Sequence, residues 1–249
     1  MIIGVNGKIG SGKDTVGKII QYLTTSKEVK EVTTLEEWLD SDDLNGRDFH
    51  WKIKKFAGKL KTIASLLTGI PVEKFEDQEF KKTYLGKEWN SPYNIPFSGP
   101  DFVKHDGEAT VREFLQRLGT EAMRDGLHTN VWVNALFADY HPSAEKWDEN
   151  GVDTVVSYPR WIITDCRFPN EAVAIREHAG VLLRINRNAD TGEHLSETAL
   201  DKFEFDYVIE NTGTIQDLVA KLRVFYEKYY PSPSQVDKNK PSQIRDILS

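Results

Sequence analysis

The sequence predicts an α/β fold with a mostly parallel central sheet. Short apolar runs alternate along the chain with segments whose apolar residues recur at helical spacing. The first run and the first helical segment enclose a glycine-rich turn with a lysine, and a later run ends directly in a carboxylate. These observations are typical of doubly wound folds, in which ligands sit at the carboxyl ends of the strands.

The first fifteen residues contain the strongest motif. Residues 1–5 predict a strand, and apolar residues at 16, 19, 20 and 23 predict the following helix. Between them lies the pattern G-x-x-x-x-G-K, followed by Asp and Thr. The glycines direct N–H groups into one concavity, to which the helix N-terminus and the lysine add positive charge, whereas a plain glycine-rich turn would not need the lysine. We therefore predict a nucleotide phosphate site formed by Gly7, Lys8, Gly10, Ser11, Gly12, Lys13, Asp14 and Thr15.

Size and charge restrict the class of protein. The 249 residues suffice for one α/β domain with insertions, and 39% of them are hydrophobic. The net charge of −7 argues against a general nucleic-acid-binding surface, although small phosphorylated ligands can be met by local arginines. Cys166 is the one cysteine, so no intrachain disulfide forms. No signal peptide or bilayer-length apolar stretch is visible, and we expect a cytoplasmic protein without membrane or nucleic-acid partners.

The segments after the first helix continue the alternation. A capping box at 34–37 predicts a short helix, and residues 49–56 predict the second strand. Lys61 lies early in the helix predicted over 57–67. It is either a solvated lysine or a contact for a substrate phosphate, because a βα junction beside the phosphate loop faces the same cleft. A further helix is predicted over 71–82, and the aromatic residues, glycines and prolines of 83–108 indicate a long loop.

A second capping box, at 110–113, predicts a helix with a polar face. Arg112 and Gln116 share this face because they are four residues apart. We expect the helix to be interrupted at 119–121, with Arg124 beyond. The face is either an ordinary polar surface or a cradle for a monophosphate and its base.

The next segments predict a helix, a polar insertion and a buried strand. The helix covers 129–140, and a tryptophan at its inner side, Trp132, is more often core than ligand contact. The insertion covers 141–153. The strand ends in Asp165, and a carboxylate at this position beside a phosphate loop indicates a Mg²⁺ shell or a catalytic role.

The last third of the chain adds helices and strands in alternation. Arg167 precedes a helix, and Arg187 opens a polar segment after a strand, where a lid arginine would stand. Cys166 is interpreted as a packing residue. These helices and strands are predicted over 170–176, 181–185, 207–211 and 215–229, with a tail over 231–249.

The phosphate loop alone does not distinguish a kinase from an ATPase or a GTPase. The Asp-x-x-Gly and Asn-Lys-x-Asp patterns of GTPases are missing. The arginines at 112, 124, 167 and 187 fall in segments predicted to face the cleft. Phosphoryl transfer requires mainly alignment and positive charge around the transferring group, so the arginines favour a kinase.

Five blocks, in order, resemble the bacteriophage deoxynucleoside monophosphate kinases. The blocks are residues 7–15, 111–121, 130–133, 164–171 and 206–214. The similarity fades in 24–48, 83–108, 141–153 and the tail. The resemblance implies a P-loop kinase-type three-layer fold in a single domain of residues 1–230. It also implies a monophosphate-binding helical region at about 57–140 and a lid at about 186–203.

The resemblance further implies transfer of the ATP γ-phosphoryl group to a 2′-deoxynucleoside 5′-monophosphate, with Mg²⁺, for DNA precursor synthesis. Arg187 becomes the lid arginine, and Asn211 is expected near the adenine of ATP. A homodimer is expected. The implied acceptor contacts are Arg112, Gly119, Thr120, Trp132, Asp165, Arg167 and Glu171, to which the residue patterns above add Lys61, Gln116 and Arg124.

Asp14 departs from the usual motif, in which Ser or Thr at this position holds Mg²⁺. Monophosphate kinases often carry Thr one position later, as Thr15 here. We expect Thr15 to support Mg²⁺ directly, and Asp14 and Asp165 to support it through water. The expected catalytic set is Lys13, Asp14, Asp165, Arg167 and Arg187.

Two other functions remain open. One is another small-molecule phosphate-loop kinase, for example one of the phosphomevalonate type. The other is an ATP-dependent regulatory protein that hydrolyses ATP without an acceptor. The predicted cleft arginines argue against the second.

Overall fold

The computed structural model describes residues 1–41, 50–89, 109–147, 153–187 and 198–231. The chain forms two compact units: Met1–Lys54 with Pro142–Ser249, and Lys55–His141. The strands are β1 (Ile2–Gly7), β2 (Trp51–Lys54), β3 (Ser143–Trp147), β4 (Asp153–Ser157), β5 (Arg160–Ile163), β6 (Val181–Asn186) and β7 (Tyr207–Glu210). The α-helices are α1 (Lys13–Thr24), α2 (Lys27–Val32), α3 (Leu35–Asp40), α4 (Phe56–Thr68), α5 (Val111–Gln116), α6 (Val131–Phe137), α7 (Pro169–Glu177) and α8 (Ile215–Tyr229).

The first unit is built on a parallel sheet with the strand order β2-β5-β1-β6-β7. β1 is central and hydrogen-bonds to β5 on one side and to β6 on the other. All four described pairings in this sheet are parallel. The predicted α/β class with a mostly parallel sheet is therefore confirmed.

Helices cover both faces of the sheet, as its apolar strands require. Ile3 and Val5 of β1 join one core cluster with residues of α1 and α8. Gly4, between them, faces the opposite side, where a Cβ would lie 2.5 Å from Cδ1 of Ile175 in α7. This alternation along one strand produces three layers: α1 and α8, the sheet, and α7.

The second unit is mainly helical and has its own small core. Ala64 of α4, Phe75 and Val111 of α5 are fully buried together. The helix predicted over 71–82 is wrong, because this segment forms two short 3₁₀ turns, Val72–Phe75 and Phe80–Lys82. The Asp77 carboxylate accepts hydrogen bonds from the N–H groups of Glu79 and Phe80, and this local bond competes with a continuous helix.

Two further segments differ from the predictions. No strand is predicted in the polar insertion over 141–153, but the structure forms an antiparallel hairpin there, in which β3 pairs with β4 from Ser143 and Ser157 to Trp147 and Asp153. The helix α2 was not predicted. Most of the loop at 83–108, the centre of the expected lid and most of the tail lie outside the described residues. In the part of the chain that is described, no helix is both long and apolar enough to cross a bilayer.

Candidate nucleotide and monophosphate sites

The phosphate loop joins β1 to α1 through two left-handed glycines. Gly10 has φ 75° and Gly12 has φ 95°, conformations that glycine adopts without strain. The Ser11 N–H donates to the Lys8 carbonyl oxygen at 3.1 Å and closes the turn. Gly12 precedes α1 and supplies no side-chain cap to its N-terminus. The first N–H groups of α1 therefore have no side-chain cap at this position, a geometry that suits a bound anion.

A Cβ would be crowded at two positions of the loop. A Cβ at Gly7 would lie 2.6 Å from the Ile185 carbonyl oxygen, and one at Gly12 would lie 3.0 Å from Nδ2 of Asn211. Ser11 is fully buried, and its Oγ is the buried side-chain atom that lacks a hydrogen-bond partner within the described ranges. A buried orphan of this kind in a native structure commonly pairs with a ligand or water. The loop thus fits a phosphate group.

The Lys13 ammonium is held against the loop backbone. Its Nζ donates to the carbonyl oxygens of Gly7 at 2.6 Å and Lys8 at 2.7 Å. A full positive charge therefore lies at the glycine turn, where the sequence predicts the β- and γ-phosphates.

The ends of β6 and β7 bring two further predicted residues to the loop. Nη1 of Arg187, just after β6, lies 3.5 Å from the Gly10 carbonyl oxygen. Nδ2 of Asn211, just after β7, donates to the Ser11 carbonyl oxygen at 2.9 Å, and its backbone N–H donates to Asn186 at 2.7 Å. Asn211 therefore holds the loop backbone, whereas the sequence suggested a place near adenine. That place stays a prediction.

Asp14 is oriented by a residue that the sequence reasoning missed. Its Oδ1 accepts a hydrogen bond of 2.8 Å from Oγ1 of Thr164, which is almost fully buried. Thr164 follows β5 directly and precedes the half-buried Asp165. A hydroxyl residue beside an acid at the carboxyl end of a strand was the available signal.

The segment after β5 also caps a helix. Oε2 of Glu171 accepts from the N–H groups of Arg167 at 2.7 Å and Phe168 at 3.0 Å, and the residue is 3% exposed. The Glu171 carboxylate thus accepts hydrogen bonds from the backbone N–H groups at the start of α7. A contact between Glu171 and the substrate stays a prediction. Cys166 is buried, as predicted for a packing residue. Burial raises the pKa of its thiol, and the Glu171 and Asp165 charges add to that effect.

The acidic residues here do not form a dedicated metal cage. Among the described residues, no cluster of three or more His, Cys, Asp or Glu side chains could hold a metal ion. Mg²⁺ in nucleotide enzymes is commonly held by one or two carboxylates together with substrate phosphates. Asp14 and Asp165 are carboxylates of this kind, and the Mg²⁺ role expected for them and for Thr15 stays a prediction.

In the second unit, α5 carries the predicted capping box. Oε2 of Glu113 accepts from the Thr110 N–H at 2.7 Å, and Oγ1 of Thr110 accepts from the Glu113 N–H at 3.2 Å. Arg112 on this helix donates through Nη2 to Oε1 of Gln78 at 3.2 Å. Gln116, at the end of the helix, is exposed.

The predicted interruption at 119–121 is wrong, because α5 continues as a π-helix, Arg117–Asp125. Within it, Gly119 allows close approach to α4, since a Cβ there would lie 2.9 Å from Cδ2 of Leu60. Nε1 of Trp132 donates to the Gly119 carbonyl oxygen at 2.8 Å. π-Helical turns occur frequently at functional sites, and this one carries the exposed Thr120 and the half-buried Arg124.

Trp132 occupies a core position in this structure. It is 5% exposed, and its indole N–H donates to the Gly119 carbonyl oxygen within the same unit. The position matches the interpretation as core, and a ligand contact by Trp132 stays a prediction.

Lys61 is not a solvated lysine. It is 8% exposed, and its Nζ lies 2.5 Å from Oε1 of Glu76, whose Oε2 is 3.7 Å from the Lys55 ammonium. Burial alone would raise the pKa of Glu76. The Lys61 hydrogen bond and the Lys55, Lys61 and Lys81 charges outweigh burial and hold that pKa below its ordinary value. Three lysines therefore act on this one carboxylate.

Comparison with known proteins extends these observations. The model of the family described as deoxynucleotide monophosphate kinase matches residues 95–222. The deoxynucleoside-5′-monophosphate kinase of Escherichia phage T5 is 23% identical over 193 residues, which cover 71% of this chain and 72% of the relative. The deoxynucleotide monophosphate kinase of Enterobacteria phage T4 is 25% identical over 116 residues, covering 46% and 44%.

A protein of Acanthamoeba polyphaga mimivirus is 31% identical over 123 residues, covering 45% of this chain and 59% of the relative. The chain thus spans more than two thirds of the T5 relative and less of the other two. The phosphate loop precedes the family match, so its geometry is a separate observation. The family match covers just over half of the 249 residues. The chain belongs to the deoxynucleotide monophosphate kinase family.

Proposed function

We propose that the protein transfers the γ-phosphoryl group of ATP to a 2′-deoxynucleoside 5′-monophosphate and so supplies diphosphates for DNA precursor synthesis. The observation that carries the proposal is the phosphate loop. There the Lys13 ammonium, the Arg187 guanidinium and the N-terminus of α1 lie at one glycine turn. Family membership supplies the class of acceptor.

The donor half of the proposal assigns a role to each part of the loop. Backbone N–H groups of the loop and the Lys13 ammonium bind the β- and γ-phosphates. Arg187 offsets the charge that develops on the transferring group. Mg²⁺, when bound, would neutralise phosphate charge, and the residues that would hold it are Thr15 directly and Asp14 and Asp165 through water.

The acceptor half rests on the charges of the second unit. We assign the acceptor monophosphate to Arg112 and Lys61, which both act electrostatically on Lys81. The further proposed contacts are Gln116, Gly119, Thr120, Arg124, Trp132, Asp165, Arg167 and Glu171.

The decisive experiment measures ADP release with ATP, Mg²⁺ and a panel of deoxy- and ribonucleoside monophosphates. The wild-type chain should release ADP in proportion to the deoxynucleoside diphosphate formed. Lys13→Ala should abolish transfer, since it removes the charge on the triphosphate. The matched control is Lys27→Ala, which removes an exposed lysine paired only with Glu31 in the described contacts, and it should keep full activity.

Two other outcomes correspond to the alternative functions. ADP release without any acceptor would indicate an ATP-dependent regulatory protein. Absence of transfer to every nucleotide in the panel, together with intact ATP binding, would indicate a kinase for another small molecule.

We also propose that residues 1–230 act as one kinase domain with a lid at 186–203. We further propose that the protein is a homodimer, and light scattering after gel filtration would measure its mass in solution.

A further inference from the structure

Thr164 carries a buried hydroxyl that contacts the exposed acid of the phosphate loop. Its Oγ1 donates to Oδ1 of Asp14 at 2.8 Å, while only 1% of the residue is exposed. Its backbone N–H donates to the Lys54 carbonyl oxygen at 3.2 Å. Thr164 therefore links the carboxyl ends of β5 and β2 and also contacts the first turn of α1.

Packing fixes the orientation of the Thr164 side chain. Gly17 of α1 is buried, and a Cβ at this position would lie 2.9 Å from Cγ2 of Thr164 and 3.1 Å from Cδ1 of Ile53. The glycine thus allows α1 to rest directly on the threonine methyl group. Asp14 and Gly17 are three residues apart and share one helix face. A β-branched side chain is stiff, so a methyl group held at Gly17 directs the hydroxyl to Asp14.

We propose that Thr164 is a positioning residue for the Asp14 carboxylate. Ordering an exposed carboxylate when a ligand binds costs entropy. The Thr164 hydrogen bond orders the carboxylate beforehand, as partners of metal-supporting groups commonly do. The proposal rests on the proposed function for the presence of a Mg²⁺–nucleotide, and it is independent of the acceptor.

Thr164→Val tests the proposal because it retains the branched shape and the methyl contact but removes the O–H donor. The measurement is calorimetric binding of ADP, once with Mg²⁺ and once with EDTA. We expect affinity for Mg²⁺–ADP to fall roughly tenfold, the scale of one hydrogen bond to a charged group. Metal-free ADP affinity should stay unchanged. Thr164→Ser keeps the hydroxyl but loses the methyl contact that orients it, so it should recover only part of the loss.

A double-mutant cycle separates positioning from packing. If Thr164 acts through Asp14, the combined Thr164→Val and Asp14→Asn variant should bind Mg²⁺–ADP no more weakly than Asp14→Asn alone. Additive losses, equal losses with and without Mg²⁺, or unchanged binding in Thr164→Val would each overturn the proposal. Thermal unfolding of the unliganded variants monitors folding, and Thr164→Ala replaces the valine variant if the latter does not fold.

The binding measurement tests the role of Thr164 independently of phosphoryl transfer. It measures nucleotide binding and needs no phosphoryl acceptor. A chain that binds Mg²⁺–ADP but phosphorylates no deoxynucleoside monophosphate would refute the proposed function while the Thr164 cycle still gave its own answer.

Discussion

At the scale of the single residue, the backbone at Gly12 is decisive for the phosphate loop. Its φ of 95° is strained for any residue with a Cβ, and that Cβ would also lie 3.0 Å from Nδ2 of Asn211. We predict that Gly12→Ala lowers the free energy of unfolding by about 1–2 kcal/mol and strongly weakens ATP binding, because the loop must reshape. Urea denaturation and calorimetry measure the two effects.

Gly58→Ala is the matched control for this prediction. Gly58 lies in α4, and a Cβ there would meet no atom within 4 Å. Alanine is favoured over glycine in a helix by up to about 1 kcal/mol, so this variant should be as stable as the wild type or more stable. Normal ATP affinity in Gly12→Ala would contradict the interpretation that the left-handed turn shapes the site.

The sequence identifies a site residue when the residues that determine its role are adjacent to it along the chain. Lys13 and its glycines form a contiguous motif whose geometry follows from adjacent residues. Thr164 has no such motif, because its role depends on the contact between α1 and the end of β5. Lys61 was ambiguous for the same reason, since its burial and its pairing with Glu76 arise only in the folded second unit.

At the scale of the element, Glu171 connects the candidate site to the stability of α7. Its carboxylate satisfies the Arg167 and Phe168 N–H groups at the start of the helix. We predict that Glu171→Ala lowers the free energy of unfolding by about 1–3 kcal/mol, because it removes the acceptor of two backbone donors. Urea denaturation measures this loss.

Glu177→Ala provides the control on the same helix. Glu177 is exposed at the C-terminal end of α7, where a negative charge interacts unfavourably with the helix dipole. Its removal should leave stability unchanged or slightly raised. If Glu171→Ala instead raised only KM for the acceptor and left unfolding unchanged, Glu171 would be a substrate contact and not primarily a cap.

Elements with a strong periodic pattern were predicted best. The bounds of α8, Ile215–Tyr229, agree with the prediction because apolar residues recur regularly and Thr214 caps the start. The helix predicted over 71–82 is wrong, and the hairpin of β3 and β4 was not predicted. In the first, the side chain of Asp77 bonds to local backbone N–H groups, and in the second, a polar composition hid the strands.

At the scale of the whole molecule, the parallel sheet followed from the alternation of elements, but the strand order did not. β2 pairs with β5, and β1 pairs with β6, across long stretches of sequence. Which strands become neighbours depends on how the helices cover the two faces of the sheet. A local sequence pattern carries no information about that arrangement. The chain also divides into two compact units, and our proposal assigns one substrate mainly to each.

Hydrogen exchange tests this assignment across the entire chain. Ligand binding slows amide exchange where it stabilises the bound conformation. We predict that ADP with Mg²⁺ protects residues 7–14 in the first unit. A deoxynucleoside monophosphate should protect residues 112–124 in the second. Lys13→Ala should abolish the first pattern and leave the second. If each of the four deoxynucleoside monophosphates protected only the first unit, the proposal would be wrong. Neither the π-helix nor the basic residues around Glu76 would then belong to the acceptor site.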